Sequence, residues 1–298
     1  MAPSMPTTSV RRRSTSLIAA AAVIGLGLAG CTTTDTDDDS SLLQTLQDRG
    51  SVTVGFAGEA PYSFMEDGEL TGATVALHRE IFGNLGIETV EGVNADFGAL
   101  IPGLQANRFD VVSAGMSILP ERCEQAAFSE PEFNYTTALM VEEGNPLELT
   151  DMQSVAESGA RLATMTGAIE SDYASELGID SMQVATPQDG MDAITSGRAD
   201  VFALTGISLN WMANNNPDAP VEVTQSFVAE INGVPQVGAG GTVFRTDDQE
   251  LLDAYNEELA EITSDPERYL SIVGEFGFTE EELPDPELTT ADLCDGVE

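Results

Sequence analysis

Five residues of this chain combine an acid, two aromatic rings, a hydroxyl and a guanidinium: Glu59, Tyr62, Phe97, Ser117 and Arg122. A guanidinium grips a carboxylate through a planar pair of hydrogen bonds. A carboxylate flanked by aromatic faces holds an organic cation by charge and by cation–π attraction of about 0.5–2 kcal/mol. Together these residue types describe a site for a small zwitterion. Spacing alone leaves a second reading open, in which Arg122 caps a helix or pairs with one of the many acids while Tyr62 and Phe97 are core. No nucleophile–base arrangement and no spacing of metal ligands stands out, so neither a cofactor nor a metal is expected. An enzyme would have to rely on Glu59 as a general acid or base. The single histidine, His78, falls in a predicted helix and is read as a packing residue.

Local structure has to bring these groups together. The stretch FGALIPGLQANRFDVVSAGMSILPERC (97–123) predicts a helix through Leu100, Ile101 and Leu104, stopped at Asn107, then a strand at Val111 and Val112. That strand opens into Gly115, Ser117, Pro120 and Arg122, and strand ends of an α/β sheet are where ligands tend to bind. Ahead of it come a short helix at Leu42–Leu46, a strand at 51–57 leading into GEAPYSF, and a helix over 73–85 capped by Gly86. After it come a strand near 136–141 and a break at Asn145-Pro146. A capping pattern at Thr150 and Gln153, a strand in RLATM (161–165), a helix after TGAIE and a strand in GRADVFAL (197–204) then follow. The glycines of GAGGTVFR (238–245) suit a crossover, and Leu251, Leu252, Tyr255, Leu259 and Ile262 mark an amphipathic helix, with a last helix near 265–275.

Two segments echo each other: LQANRFDVV (104–112) and ITSGRADVF (194–202) share an apolar helix end, Asn or Gly, and then Arg-x-Asp-Val. Each reads as a helix feeding a strand, which suits two similar α/β lobes.

The chain carries 51 Asp plus Glu against 11 cations, all of them arginine, for a formal net charge of −40. Such a field repels nucleic acid and bare anionic membrane. It also suits a surface that stays hydrated at high salt, although an acid-rich exported protein would look the same. Arg11, Arg12 and Arg13 precede an apolar run from Leu17 to Leu28 that ends in LAGC at Cys31. The run is too short to span a membrane and reads as a secretory leader over 1–30. LAGC resembles a bacterial lipobox, which implies lipidation of Cys31 and an exported protein held at the outer face of the cell membrane. Residues 31–41 form an acidic tether without apolar side chains. Cys123 and Cys294 then remain in an oxidising compartment, either bridged or as two separate buried thiols.

GLQANRFDVVSAGMSILPER, followed by AAFSEP, resembles the signature of family 3 solute-binding proteins of ABC importers. The likeness runs from about 48 to 280. It implies a periplasmic-binding-protein-like fold (type II): two α/β lobes joined by two crossover strands, with the ligand cleft between them. On that basis lobe 1 is expected over 42–141 and 243–298, lobe 2 over 146–238, and the crossovers at 142–145 and 239–242. Within the family the likeness is to ectoine and hydroxyectoine binders, through Glu59-Ala60-Pro61-Tyr62, Phe97 to Ala106, Pro120 to Cys123, and the tail from Phe276 to Cys294. The resemblance implies that Glu59, Tyr62 and Phe97 embrace a cationic ring while Ser117 and Arg122 take the carboxylate. Gly167, Ile169 and Thr205 are expected to complete the site from lobe 2.

Two departures bear on the ligand. Ser117 stands where ectoine binders have an aromatic, and Thr205 stands where amino-acid binders place an acid for the α-ammonium. The resemblance implies a monomer that delivers its ligand to permease subunits. A polar amino-acid binder, or an enzyme resembling cyclohexadienyl dehydratase on the same fold, are the alternatives.

Overall fold

Apolar inner strands with almost no exposed member, Val111–Ser117, Leu162–Met165, Val201–Thr205 and Gly238–Phe244 among them, centre two sheets, as expected for strands covered on both faces. The computed structural model describes residues 40–231 and 234–296. The leader, most of the acidic tether and Cys31 lie outside the described residues. Among the described residues no helix is long and apolar enough to cross a membrane.

The first sheet runs Thr89–Asn94, Ser51–Phe56, Val111–Ser117, Gly238–Phe244, Ala127–Phe128, with Phe133–Tyr135 also paired to Gly238–Phe244. Its first three strands are parallel, and Gly238–Phe244 runs antiparallel to them. The second sheet runs Ser181–Val184, Leu162–Met165, Val201–Thr205, Thr137–Glu142, Val221–Val223; its first three strands are parallel, Thr137–Glu142 runs antiparallel to them, and Val221–Val223 antiparallel to Thr137–Glu142. This is the mixed α/β architecture expected of a type II binding-protein fold.

The repeated Arg-x-Asp-Val segment is one structural device used twice. Asn107 (φ 55°) and Gly197 (φ 66°) end their helices in the left-handed region, where Asn and Gly are tolerated best. Asp110 then accepts from the Thr53 N–H and pairs with Arg49, while Asp200 accepts from the Arg161 N–H and pairs with the Arg161 guanidinium. In each sheet the aspartate thus fixes the start of the neighbouring parallel strand.

Three expectations require correction. Thr137–Glu142 was expected in lobe 1, but it pairs along its length with Val201–Thr205 of the second sheet. The chain therefore leaves the first sheet at Tyr135 and enters the second at Thr137, and 142–145 is only a surface turn held by Asn145 against Leu149. Gly238–Phe244, expected to contain the return crossover at 239–242, is an inner strand of the first sheet. Its glycines make room for rings: a Cβ on Gly240 would stand 2.5 Å from the Phe133 ring, and one on Gly238 2.7 Å from Tyr135. The return instead runs between Val223 and Gly238. Finally, the helix Met152–Ser158 is capped by Asp151 with Ser154, one residue past the expected Thr150 and Gln153.

The predicted amphipathic helix spans Gln249–Thr263 and buries all five of its marker residues. Cys123 and Cys294 form a disulfide with a Cα–Cα distance of 5.7 Å. It ties the C-terminal helix Thr290–Asp295 to the turn Pro120–Cys123 that carries Arg122.

Candidate functional site

Strand ends from both sheets meet at one small cavity lined by Glu59, Phe97, Ser117, Ile169, Glu170 and Thr205, with Gly115, Met165, Ala168 and Leu204 between them. Glu59 follows strand Ser51–Phe56 and Ser117 ends Val111–Ser117. Ile169 opens the helix after Leu162–Met165, and Thr205 ends Val201–Thr205. The cavity encloses about 20 Å³, room for about one water molecule. An organic ligand therefore enters only if the walls part. A larger groove of about 640 Å³, near Pro131, Leu259, Pro266 and Leu288, has neither a cation nor an aromatic ring in its lining. Chemistry favours the small cavity.

Two hydrogen bonds join the walls. Ser208 Oγ donates to Glu59 Oε1 at 2.7 Å, and Arg122 Nη2 donates to the Gly167 carbonyl at 2.8 Å. Arg122 Nη1 donates to the Ser117 carbonyl at 3.0 Å, and the guanidinium carbon stands 5.7 Å from the Phe97 ring centroid. These bonds use two of five N–H donors. Among the described residues Arg122 forms no salt bridge, although acids abound and it is only 8% exposed. A buried cation without a carboxylate partner is an anion-binding group.

The acids at the cavity are held in the opposite sense. Glu59 is 4% exposed, and burial pushes its carboxyl up to about 8, with the Ser208 hydrogen bond opposing the rise and the charge of Glu170 adding to it. Glu170 is 1% exposed, and its carboxyl has only its own backbone N–H and the Thr137 hydroxyl nearby, neither aligned as a strong hydrogen bond. Burial pushes it up to about 7 against the pull of the Arg122 guanidinium. An opposite charge between the two acids would relieve both.

The structure thus brings Glu59, Phe97, Ser117, Ile169 and Thr205 to the cavity wall and sets Arg122 behind Phe97 and Ser117. Gly167 is placed differently from expectation. With φ 80° it brings the backbone close to Gly98, where a Cβ would stand 3.2 Å from the Gly98 Cα, and it gives Arg122 its carbonyl. Tyr62 does not offer a ring face. Its ring packs 5.2 Å from Phe133 and 5.9 Å from Phe278 by centroid, and a Cβ on Gly115 would come within 2.5 Å of it. Only its hydroxyl, buried beside Thr205, is left to contribute.

Sequence reasoning missed Glu170 and Tyr135. Glu170 lies in the first turn of helix Ile169–Glu176, where an acid is ordinary because it meets the helix dipole, and nothing local marks it as a wall residue. Tyr135 ends the strand that leaves the first sheet, and its hydroxyl is buried near Ser117 and Arg122. His78 lies outside the site. It is fully buried, its Nε2 is 2.6 Å from Thr242 Oγ1, and burial lowers its imidazole to about 3.

With this geometry established, three comparisons bear on identity. Residues 52–271 match the protein family described as bacterial extracellular solute-binding proteins, family 3. A probable amino-acid ABC transporter periplasmic-binding protein of Sinorhizobium fredii is 34% identical over 260 residues, covering 85% of each chain. Among solved structures, EhuB in complex with hydroxyectoine superposes with a TM-score of 0.75 at 32% identity, covering 85% of this chain and 97% of that one. An ancestral arginine-binding protein bound to arginine gives a TM-score of 0.66 at 28% identity, covering 76% and 98%.

Proposed function

The chain belongs to family 3 of the bacterial extracellular solute-binding proteins, and from that membership we propose that its cavity captures a small zwitterion of the ectoine or hydroxyectoine kind for delivery to an ABC permease. One observation carries the reading: a buried, salt-bridge-free Arg122 stands beside Phe97, behind the same cavity wall that holds the buried carboxylate of Glu59. The arginine takes the ligand carboxylate, and Glu59 with the Phe97 ring takes the cation. Capture follows from closure, because a ligand that touches both walls favours the state in which they meet. No bond in the ligand needs to break, and the protein acts as a binder rather than an enzyme.

Lipidation at Cys31 would hold the chain, as a monomer on its acidic tether, at the outer face of the membrane beside its permease. A Cys31→Ser variant should then appear in the medium instead of the membrane fraction.

Calorimetric titration with ectoine, hydroxyectoine, glycine betaine and a panel of polar amino acids tests the ligand class. Binding of ectoine or hydroxyectoine supports the proposal. Binding of a polar amino acid alone moves the ligand to the class named for the Sinorhizobium relative, and conversion of any compound to a product overturns the role of binder.

A further inference from the structure

Tyr135 stands where the chain passes from the first sheet to the second, as the last residue of strand Phe133–Tyr135 before Thr137–Glu142 begins. Its ring lies across the return strand. Gly238 is its paired residue, and a Cβ on Gly238 or Gly240 would stand 2.7 Å or 3.1 Å from the ring carbons Cε2 and Cε1. Gly240 in turn pairs with Ser117, and the ring laid over the two glycines carries its hydroxyl to Ser117 and the guanidinium of Arg122. The hydroxyl oxygen is buried there with no hydrogen bond of good geometry, although the residue as a whole is only partly buried. Burying a polar tip in this way is costly for a group that only packs, because a phenyl ring would fill the same seat without the desolvation.

The neighbours of the hydroxyl define what it can meet. Arg122 has only N–H donors, and two of them already serve the carbonyls of Ser117 and Gly167. The charges of Glu170 and Glu59 also reach the phenol, more weakly than that of Arg122. An O–H beside a guanidinium sets two kinds of donor around one place, which suits an anion whose oxygens accept from both. We propose that Tyr135 is a ligand-binding residue whose hydroxyl donates to the ligand carboxylate alongside Arg122. This rests on the zwitterion reading above and adds a group at the carboxylate end of the ligand. It also ties binding to closure. Tyr135 belongs to the segment that joins the two sheets, so a carboxylate held there engages the connection itself as well as the walls, and favours the arrangement in which they meet.

The test compares the purified chain with its Tyr135→Phe variant, which keeps the ring on its glycine seat and removes one oxygen. Ectoine, hydroxyectoine, glycine betaine and the polar amino acids serve as carboxylate probes in titration calorimetry, and circular dichroism follows the ligand-free melts. Tyr135→Phe should weaken the tightest-binding probe about tenfold or more, the scale of losing a hydrogen bond to a charged group. Its ligand-free melt should be no lower than that of wild type. A smaller loss of affinity overturns the inference and leaves the zwitterion reading standing. A loss accompanied by a lower ligand-free melt makes the hydroxyl a structural group and overturns the inference as well. No binding of any of these probes by the wild type overturns both.

Discussion

Replacing Arg122 by methionine keeps an apolar stem of similar reach against Phe97 and removes the charge. Three interactions within the protein go with it: the bonds to the carbonyls of Ser117 and Gly167 and the cation–π contact with Phe97. The effect on binding is larger than the effect on folding. A ligand carboxylate would enter the closed cavity with no partner, and truncating one member of a desolvated charge pair costs about 2–5 kcal/mol. That corresponds to about 30-fold to several thousand-fold in Kd. The bond to Gly167 also spans the two walls, so its loss weakens closure as well as the ligand contact. Arg122→Lys restores the charge without the planar fork and should recover only part of the affinity. Phe97→Ala should cost about 1–3 kcal/mol through lost burial and cation–π attraction. Titration calorimetry with the best ligand, alongside circular dichroism melts to check folding, measures each variant. A folded Arg122→Met protein that binds within threefold of wild type would refute the placement of the ligand carboxylate.

Stability should fall as pH rises from 5 to 8. Glu59, Glu132 and Glu170 are all raised by burial, to about 8, 7 and 7, so the folded chain holds protons that the unfolded chain has released. His78, lowered to about 3, acts in the opposite sense below its usual range, but one imidazole opposes three carboxyls. Each net proton contributes about 1.4 kcal/mol per pH unit, and a ligand-free melting temperature that climbs from pH 5 to 8 would contradict this. Reducing the Cys123–Cys294 bridge, which spans a sequence separation of 171, should cost about 2–5 kcal/mol; a melt unchanged by Cys123→Ser with Cys294→Ser would show that the tail is held without it. With 51 acids against 11 arginines, self-repulsion should make the melt salt-dependent, and identical curves in low salt and molar KCl would remove that expectation.

Sequence by itself determined the periodic and local features. Helix stops at Asn107 and Gly86, the buried strands, and the twinned Arg-x-Asp-Val device depend on residues close in the chain and leave a pattern there. Residue type and position also pointed to Glu59, Phe97 and Ser117, and the family resemblance to Ile169 and Thr205, all of which line the cavity.

What only the tertiary structure decided concerns partners distant in sequence. Glycines at 238, 240 and 241 look like a hinge until Phe133, Tyr135 and Ser129 are seen filling the space beside them. Tyr62 looks like a ligand-stacking ring until Gly115, Phe133 and Phe278 close over it. Glu132 reads as one acid among many until Tyr255 OH donates to it at 2.7 Å and the Thr242 N–H at 3.1 Å. Glu170 is the sharpest instance. A carboxylate in the first turn of a helix is ordinary in one dimension, and only when the two sheets face each other does it become a buried carboxyl within reach of the charges of Glu59 and Arg122. Desolvation depends on what covers a group, and the residues that cover Glu170 are scattered through the chain.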